Sequence, residues 1–191
     1  MAIASARLTL ENLPGPPLQG LEEALFQIEG YVEQALFDAR SGAVERDYVV
    51  RPMALRQAAS DAVKKYARPL IAAGFSVELE GLDAVAYADG KWVEFILGQL
   101  ISNAIKYRGE HPRLVFTQSR AEQSVALNVA DNGVGIPQAD LPRVCEKGFT
   151  GENGRKLSKR STGLGLYLCR TLCGRLGLGF SIASQAGEGT R

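Results

Sequence analysis

The residues with the clearest chemical potential are an aspartate and the two glycines that follow it. Apolar residues alternate with small or polar ones from Val125 to Val129, the period of a half-buried strand, and the pattern ends at Asp131. Gly133 and Gly135 follow in a loop, where the lack of a Cβ atom lets backbone approach a ligand closely. Taken alone, one D-x-G-x-G is more typical of an ordinary turn than of a site. Its meaning depends on the rest of the chain.

Two further groups of residues suit an anionic ligand. Asn103, Lys106 and Tyr107 fall at the end of a predicted helix, where Lys106 shares a helix face with Asn103. Gly163 and Gly165 open another predicted helix, whose free N–H groups and macrodipole favour anions. By themselves, a cation at a helix C-terminus and a packed aromatic ring would explain the first group as well.

The familiar phosphate-binding motifs do not occur. The sequence has no G-x-x-x-x-G-K-S/T, and the pair Gly163 and Gly165 lacks the third glycine and the following acidic residue of a dinucleotide fingerprint. A nucleotide site in this chain would therefore be of a different kind.

Composition and charge indicate one globular domain, or one such domain with an appendage. The 191 residues are 46% hydrophobic and 23% charged, which is enough to bury a sizeable core. Lys and Arg number 22 against 21 Asp and Glu, so the net charge of +1 gives no bulk attraction to nucleic acid or to a membrane surface. We therefore expect no nucleic-acid partner.

Cysteine usage and hydropathy favour a soluble fragment in a cytosolic setting. Cys145, Cys169 and Cys173 are odd in number and lack the paired spacing of a zinc site, which favours reduced thiols. No stretch approaches the roughly 18 uninterrupted apolar residues of a membrane span, and no signal peptide opens the chain.

The first 41 residues are predicted to form a helical hairpin. A short helix from Ala2 to Glu11 is followed by a proline-rich turn and by a helix from Leu18 to about Ala39. Apolar residues in the second helix recur in alternating steps of three and four, as in a seam that packs on a partner helix. Packing on its own domain is the alternative, but a hairpin favours dimerisation into a four-helix bundle. The domain boundary is placed between residues 41 and 47.

Residues 47–191 alternate between strand and helix patterns. Strands are predicted over 48–52, 75–80, 85–88, 113–118, 124–130 and 179–185; helices are predicted over 55–74, after the capping residue Asp89, briefly between Pro137 and Cys145, and from Gly163 to about Leu176. The glycine-rich basic loop over 146–161 is predicted to form a mobile lid, because long structureless loops are uncommon in compact domains. A solvated surface loop is the alternative.

In order and spacing these motifs resemble the GHKL ATPase superfamily, and more narrowly its sensor histidine kinases. The resemblance covers residues 47–191 and rests on five segments, which are Asn103 to Tyr107, Asp131 to Gly135, Phe149, Gly163 to Leu166, and Gly187 to Thr190. It implies an α+β fold, a two-layer α/β sandwich of the Bergerat ATP-binding type with a mixed sheet and helices on one face, preceded by the helical hairpin. It also implies ATP and Mg²⁺ as ligands.

The resemblance implies a role for each site residue. Asp131 would accept a hydrogen bond from the exocyclic amine of ATP, supported by Thr190, and Asn103 would complete a Mg²⁺ shell made mostly of phosphate and water. Lys106 and Tyr107 would contact phosphate or ribose. The implied nucleotide-binding set is Asn103, Lys106, Tyr107, Asp131, Gly133, Gly135, Ile136, Phe149, Arg155, Lys156, Thr162, Gly163, Leu164, Gly165, Leu166 and Thr190, with Asn103 as the metal ligand.

Two positions within this set of motifs stay open. The family often has an asparagine four residues before the metal asparagine, where this sequence has Gln99. Phe149 resembles the family's lid phenylalanine, but it could equally be a hydrophobic anchor for the loop.

The family's phospho-accepting histidine belongs on the hairpin, and this sequence has none there. His111, the single histidine, lies in a turn between helix and strand, which is typical of a surface residue. Ala2 to Leu8 resembles the segment after the acceptor motif, so we expect the chain to begin just past the acceptor. Its end at Arg191 falls where the family continues into another strand.

The whole protein implied by this resemblance is a bacterial inner-membrane sensor kinase, with the present fragment in the cytoplasm. The implied partners are ATP, a second copy bound through the hairpin, and the receiver domain of a response regulator. The stretches from Leu25 to Leu36 and from Phe149 to Arg155 resemble short-sensor kinases that detect envelope stress or antimicrobial peptides, which adds a membrane transporter as a partner.

Two other classes of function remain. A nucleotide-binding regulatory or scaffold module without phosphotransfer would keep the same pocket. A GHKL ATPase of the chaperone or topoisomerase kind would need a carboxylate base in the helix of Asn103. Glu94 lies more than two turns before Asn103, and the preceding hairpin favours the kinase.

Overall fold

The computed structural model describes residues 48–151 and 162–191, and before them only three separate positions. The chain divides into two compact units, Met1–Asp47 and Tyr48–Arg191. The strands and helices described below belong to the second unit.

In the first unit the described residues are Ile28, Val32 and Ala35, which are helical and exposed. All three are positions of the predicted apolar seam. The rest of the hairpin predicted over residues 1–41 lies outside the described residues, and its dimerisation stays a prediction. The predicted lid cations Arg155 and Lys156 also lie outside them.

The second unit has the predicted α+β fold. Its elements in chain order are β1 (Arg51–Ala54), α1 (Leu55–Lys65), α2 (Ala67–Ala72), β2 (Ser76–Leu79), β3 (Val85–Ala88), α3 (Gly90–Lys106), β4 (Arg113–Ala121), β5 (Ser124–Asp131), a 3₁₀ turn (Leu141–Arg143), α4 (Gly165–Arg175), β6 (Ser184–Gln185) and β7 (Gly189–Thr190).

The main sheet is mixed, as predicted, and has the strand order β2-β4-β5-β7-β6. Strands β2 and β4 are parallel, whereas the other neighbours pair in antiparallel fashion. A separate two-stranded ribbon joins β1 to β3. Since β5, β7 and β6 are neighbours, the end of β5 meets the hairpin at the end of the chain.

The strand register aligns four residues across the sheet. Leu114 pairs with Asp131, Asp131 with Thr190, and Thr190 with Ser184. Side chains of directly paired residues point to the same face of a sheet. Because Leu114 is fully buried, Asp131, Thr190 and Ser184 lie on the face that carries the core.

Helices α1 and α4 both pack on α3, and the core lies between these helices and the sheet. Phe116 on β4, Ile101 on α3, and Leu168 and Leu172 on α4 are fully buried. Burying one such side chain contributes about 1.5–3 kcal/mol, so this cluster holds helices and sheet together. Within the described part of the chain, no helix is both long enough and apolar enough to cross a membrane.

The helix predicted over 55–74 is two helices, with a break at Tyr66. Pro69 has no N–H to donate to the carbonyl group of Lys65, four residues earlier. The helical bonds resume when the Leu70 N–H donates to the Tyr66 carbonyl over 3.0 Å. The proline therefore interrupts the helical hydrogen bonds between α1 and α2.

Two strand predictions need correction. The first strand lies at Arg51–Ala54 rather than 48–52, since Pro52 is tolerated within a two-stranded ribbon. The strand predicted over 179–185 forms only at its end, as β6, and returns as β7. By contrast, β3 and the hairpin of β4 and β5 form where predicted, and the Lys91 N–H donates to the capping side chain of Asp89 over 3.0 Å.

Two helical glycines give a matched test of the packing on α3. A Cβ atom on Gly98 would lie 2.7 Å from Oη of Tyr66, whereas one on Gly174 in α4 would meet nothing within 4 Å. We expect Gly174→Ala to raise the free energy of unfolding by up to about 1 kcal/mol through helix propensity. Gly98→Ala should lower it by about 1 kcal/mol or more through overpacking. Urea denaturation measures both, and equal stabilisation by the two changes would contradict the described packing.

Candidate functional site

Asp131 ends β5 with its carboxylate only partly accessible to water. The backbone N–H of Gly133 donates to Oδ1 over 2.8 Å, and the backbone N–H of Thr190 also donates to the carboxylate. Burial raises the pKa of the Asp131 carboxyl above its usual range, and these two donors offset the shift only in part. An ionised carboxylate accepts about four hydrogen bonds, so Asp131 keeps acceptor capacity for a ligand.

The loop after Asp131 folds so tightly that glycine is required at two positions. A Cβ atom on Gly133 would overlap the carbonyl oxygen of Tyr107. Gly135 has a φ of +64°, and a Cβ atom there would overlap the carbonyl oxygen of Gln185. The close approach that both glycines allow is therefore between parts of the protein's own backbone, and it brings the loop against the end of α3 and against β6.

The end of α3 is fastened to this loop. The Val134 N–H donates to the carbonyl oxygen of Tyr107 over 2.9 Å, and the Tyr107 N–H donates to that of Asn103, also over 2.9 Å. Lys106 holds its Nζ atom 5.1 Å from the centre of the Tyr107 ring, a cation–π geometry. The predicted residues Asn103 and Lys106 thus lie on the last turn of α3, and Tyr107, its C-cap, contacts the Asp131 loop.

Thr190 lies across from Asp131 and is supported by a residue that the sequence analysis misses. Ser184 Oγ lies 2.9 Å from Thr190 Oγ1, donates to the Gly189 carbonyl over 2.6 Å and accepts from the Ile136 N–H over 2.8 Å. Ser184 is half-buried. The turn with Gly187 and Gly189 is the sequence signal that could identify Ser184. A hairpin around this turn places Ser184, six residues before Thr190, opposite Thr190.

The predicted phosphate segment forms the start of α4. Its N-cap residue is Leu164, which has no side-chain oxygen to accept from the first N–H groups, and the first turn contains no acidic residue. These amides and the helix dipole suit an anion. The carbonyl of Gly163 accepts from the Gly148 N–H over 3.1 Å, so the start of α4 meets the described beginning of the loop. Gly165 and Leu166 are half-buried, while Thr162 is exposed.

Phe149 is anchored at the base of the predicted lid. The guanidinium carbon of Arg143 lies 4.5 Å from the centre of its ring, and the Phe149 N–H donates to the carbonyl of Glu146 over 3.2 Å. Phe149 therefore has the contacts of a packed anchor, one of the two roles that the sequence leaves open. The lid cations Arg155 and Lys156 lie outside the described residues.

Three other polar side chains bear on the alternatives. Glu94 forms an exposed ion pair with Lys65 at 3.2 Å, between α3 and α1. Gln99 is buried on α3, one turn before Asn103. His111 is exposed in its turn, where its carbonyl accepts from the Asn132 side chain over 2.8 Å.

These residues suit an adenine nucleotide. The partly buried carboxylate of Asp131 can accept from a base amine, the basic residue Lys106 lies at the end of α3 that is bonded to the Asp131 loop, and the start of α4 can receive phosphate. One neutral oxygen, that of the Asn103 amide, suits a Mg²⁺ ion whose other ligands are phosphate and water.

Comparison with known proteins gives a consistent match. The family model described as histidine kinase-, DNA gyrase B-, and HSP90-like ATPase matches residues 88–191. The sensor histidine kinase YxdK of Bacillus subtilis (strain 168) is 33% identical over 185 residues, which cover 96% of this chain and 57% of that protein. The chain spans a little over half the length of the curated relatives that it matches first.

Two solved structures have the same fold. The full-length ShkA structure in complex with AMPPNP has a TM-score of 0.71 at 20% identity, covering 90% of this chain and 36% of that chain. The histidine kinase ThkA, in complex with the response regulator protein TrrA, has a TM-score of 0.67 at 16% identity, covering 99% of this chain and 54% of that chain. At these identities the likeness establishes the fold alone.

The raised pKa of Asp131 predicts a pH-dependent stability difference for Asp131→Asn. Because the folded-state pKa exceeds the unfolded value of about 3.8, the stability given by the protonated carboxyl is fully present below that pH and is lost as pH rises through the folded-state pKa. The asparagine variant does not titrate, so its free energy of unfolding should gain on the wild type across this window and then level off. Urea denaturation at a series of pH values measures the free energy of unfolding of the variant minus that of the wild type, and a value that falls as pH rises would contradict the effect of burial.

Proposed function

Since the chain belongs to the histidine kinase-, DNA gyrase B-, and HSP90-like ATPase family, we propose that it is the catalytic part of a sensor histidine kinase. In this proposal residues 48–191 bind ATP with Mg²⁺ and donate the γ-phosphoryl group to a histidine on a dimerisation hairpin. The phosphoryl group then passes to an aspartate of a response regulator.

The observation that carries the proposal is the acceptor at the end of β5. The Asp131 carboxylate is partly buried, holds two backbone donors and has capacity for more. The exocyclic amine of adenine supplies a donor of the required kind. A base without that donor would leave a buried acceptor unpaired, which costs about 1–3 kcal/mol and gives selectivity.

The phosphates are proposed to lie between the last turn of α3 and the first turn of α4. Lys106 offsets negative charge, the first N–H groups of α4 bind phosphate oxygens, and Asn103 holds Mg²⁺ through its side-chain oxygen. The ion would shield the charge on the β- and γ-phosphates. Phosphoryl transfer relies mainly on positioning and charge neutralisation, and these are the properties that the named groups have.

The partners of the whole protein are part of the same proposal. The second copy would bind through the hairpin over residues 1–41, and the receiver domain would bind as TrrA does in its complex with ThkA. The relative YxdK is named a sensor histidine kinase, which supports the role of a sensor. In this proposal the sensor is bound to the membrane, with this region on the cytoplasmic side. A neighbouring transporter and an envelope-stress stimulus complete the proposal.

The first experiment measures nucleotide selectivity. Wild-type chain with Mg²⁺ should bind ATP and should bind inosine triphosphate, which lacks the exocyclic amine, more weakly. Asp131→Asn should weaken ATP binding about 10- to 100-fold, the loss expected for one hydrogen bond to a charged group. Asp61→Asn, on the exposed side of α1, is the matched control and should bind as the wild type does. Isothermal titration calorimetry measures the affinities of these three proteins. An ATP affinity that Asp131→Asn leaves unchanged would refute the proposed site.

The second experiment separates a kinase from a nucleotide-binding scaffold. A separate hairpin that contains the family's acceptor histidine is added to the chain together with γ-labelled ATP and Mg²⁺. We expect ATP-dependent labelling of that hairpin, with none when its histidine is replaced by alanine. ATP binding without any labelling would favour the scaffold module.

A further inference from the structure

Ser184 contacts three polar groups that surround the proposed adenine site. Its Oγ atom lies 2.8 Å from the backbone nitrogen of Ile136, 2.6 Å from the carbonyl oxygen of Gly189 and 2.9 Å from Oγ1 of Thr190. Ile136 belongs to the loop that follows Asp131, whereas the other two partners belong to β7. A single hydroxyl thus joins both backbone segments at the site.

The direction of each hydrogen bond follows from the number of protons. The Ile136 N–H can only donate, and the Gly189 carbonyl can only accept. At 2.6 Å the proton of the Ser184 hydroxyl lies between its oxygen and the Gly189 carbonyl. Ser184 accepts from Ile136 with one lone pair, and the second lone pair faces Thr190. Thr190 is therefore the donor in the third bond.

We propose that Ser184 is a positioning residue for purine selectivity, an inference that rests on the proposed function. Because the Thr190 proton is directed to Ser184, the Thr190 oxygen presents only acceptor lone pairs to its other neighbours. The Asp131 carboxylate beside it is also an acceptor. Ser184 thus gives this part of the site a uniform acceptor character, although it does not itself contact the base.

The strand register holds this polarity in place. Ser184 on β6 is paired with Thr190 on β7, and Thr190 is paired with Asp131 on β5. The three side chains therefore share one face of the sheet. Asp131 and Thr190 are directly paired, which places the two acceptor groups next to each other on neighbouring strands. Rotation of the Thr190 hydroxyl away from Ser184 would break its bond to a partly buried oxygen.

An acceptor pair selects a 6-amino purine over a 6-oxo purine. The exocyclic amine donates to Asp131, and a bridging water that donates to Thr190 can donate its second proton to the adenine N1 atom. In a 6-oxo purine the exocyclic atom is an acceptor and faces two acceptor groups, so this contact is mismatched, whereas the proton on N1 can be accepted by the bridging water. Without Ser184, the Thr190 hydroxyl is able to turn and donate, and the mismatch is relieved.

The test is the ratio of the affinities for ATP and inosine triphosphate, measured with Mg²⁺ by calorimetry. Ser184→Ala should lower this ratio about tenfold, the effect of one mismatched hydrogen bond. Ser184→Thr, which keeps the hydroxyl, should preserve the wild-type ratio, and so should the matched control Ser181→Ala on an exposed residue. In a Thr190→Val background, Ser184→Ala should leave the ratio unchanged, because the hydroxyl it directs is absent.

The outcomes separate this inference from the proposed function. If the wild type binds no ATP, the proposed function fails and the inference fails with it. If the wild type prefers ATP and Ser184→Ala weakens both nucleotides equally, Ser184 is merely structural and the inference alone is overturned. If the alanine variant does not fold by circular dichroism, Ser184→Cys replaces it, since a thiol is a weak acceptor and should lower the ratio in the same direction.

Discussion

A carboxylate on the core face of a sheet is costly unless donors surround it, and this requirement organises the site. Removing an ionised carboxylate from water costs several kcal/mol, and the cost is expressed at Asp131 as a raised pKa. Backbone donors from Gly133 and Thr190 offset only part of it. A ligand amine would supply a further donor. The Asp131 carboxylate, which destabilises the fold without ligand, would therefore stabilise the complex with a base that carries this amine.

Other backbone hydrogen bonds of the same loop fix the distance between the proposed base site and the proposed phosphate site. The Tyr107 carbonyl accepts from the Val134 N–H, and the Val134 carbonyl accepts from the Gly187 N–H, each over 2.9 Å. The loop is thus held between the end of α3 and the final hairpin. Because bonds of this kind join backbone to backbone, the relation between Asp131 and the helix of Asn103 does not depend on side-chain rotamers. A bulkier residue at Gly133 would separate them.

The sequence predicts the features that depend on local signals and misses those that depend on pairing between distant segments. The cap at Asp89 and the hairpin of β4 and β5 depend on neighbouring residues, and they form as predicted. The two-residue strands β6 and β7 are too short to show a period and exist because β7 pairs with Asp131. Ser184 acquires its role only through that pairing. Sequence reasoning therefore predicts Asp131 as a site residue and does not predict the serine beside Thr190.

The residues of α3 bear on which kind of phosphoryl transfer the site can support. Glu94 is the only acidic residue in this helix, and it precedes Asn103 by nine residues, which is about half a turn around the helix and about 14 Å along it. Its carboxylate also forms an exposed ion pair with Lys65. On the face of Asn103 the helix instead carries Gln99 and Lys106, an amide and a cation. These groups neutralise and position phosphates, but they do not take a proton from water. A neutral imidazole nitrogen is already nucleophilic near pH 7 and needs no such base, which favours transfer to histidine over hydrolysis.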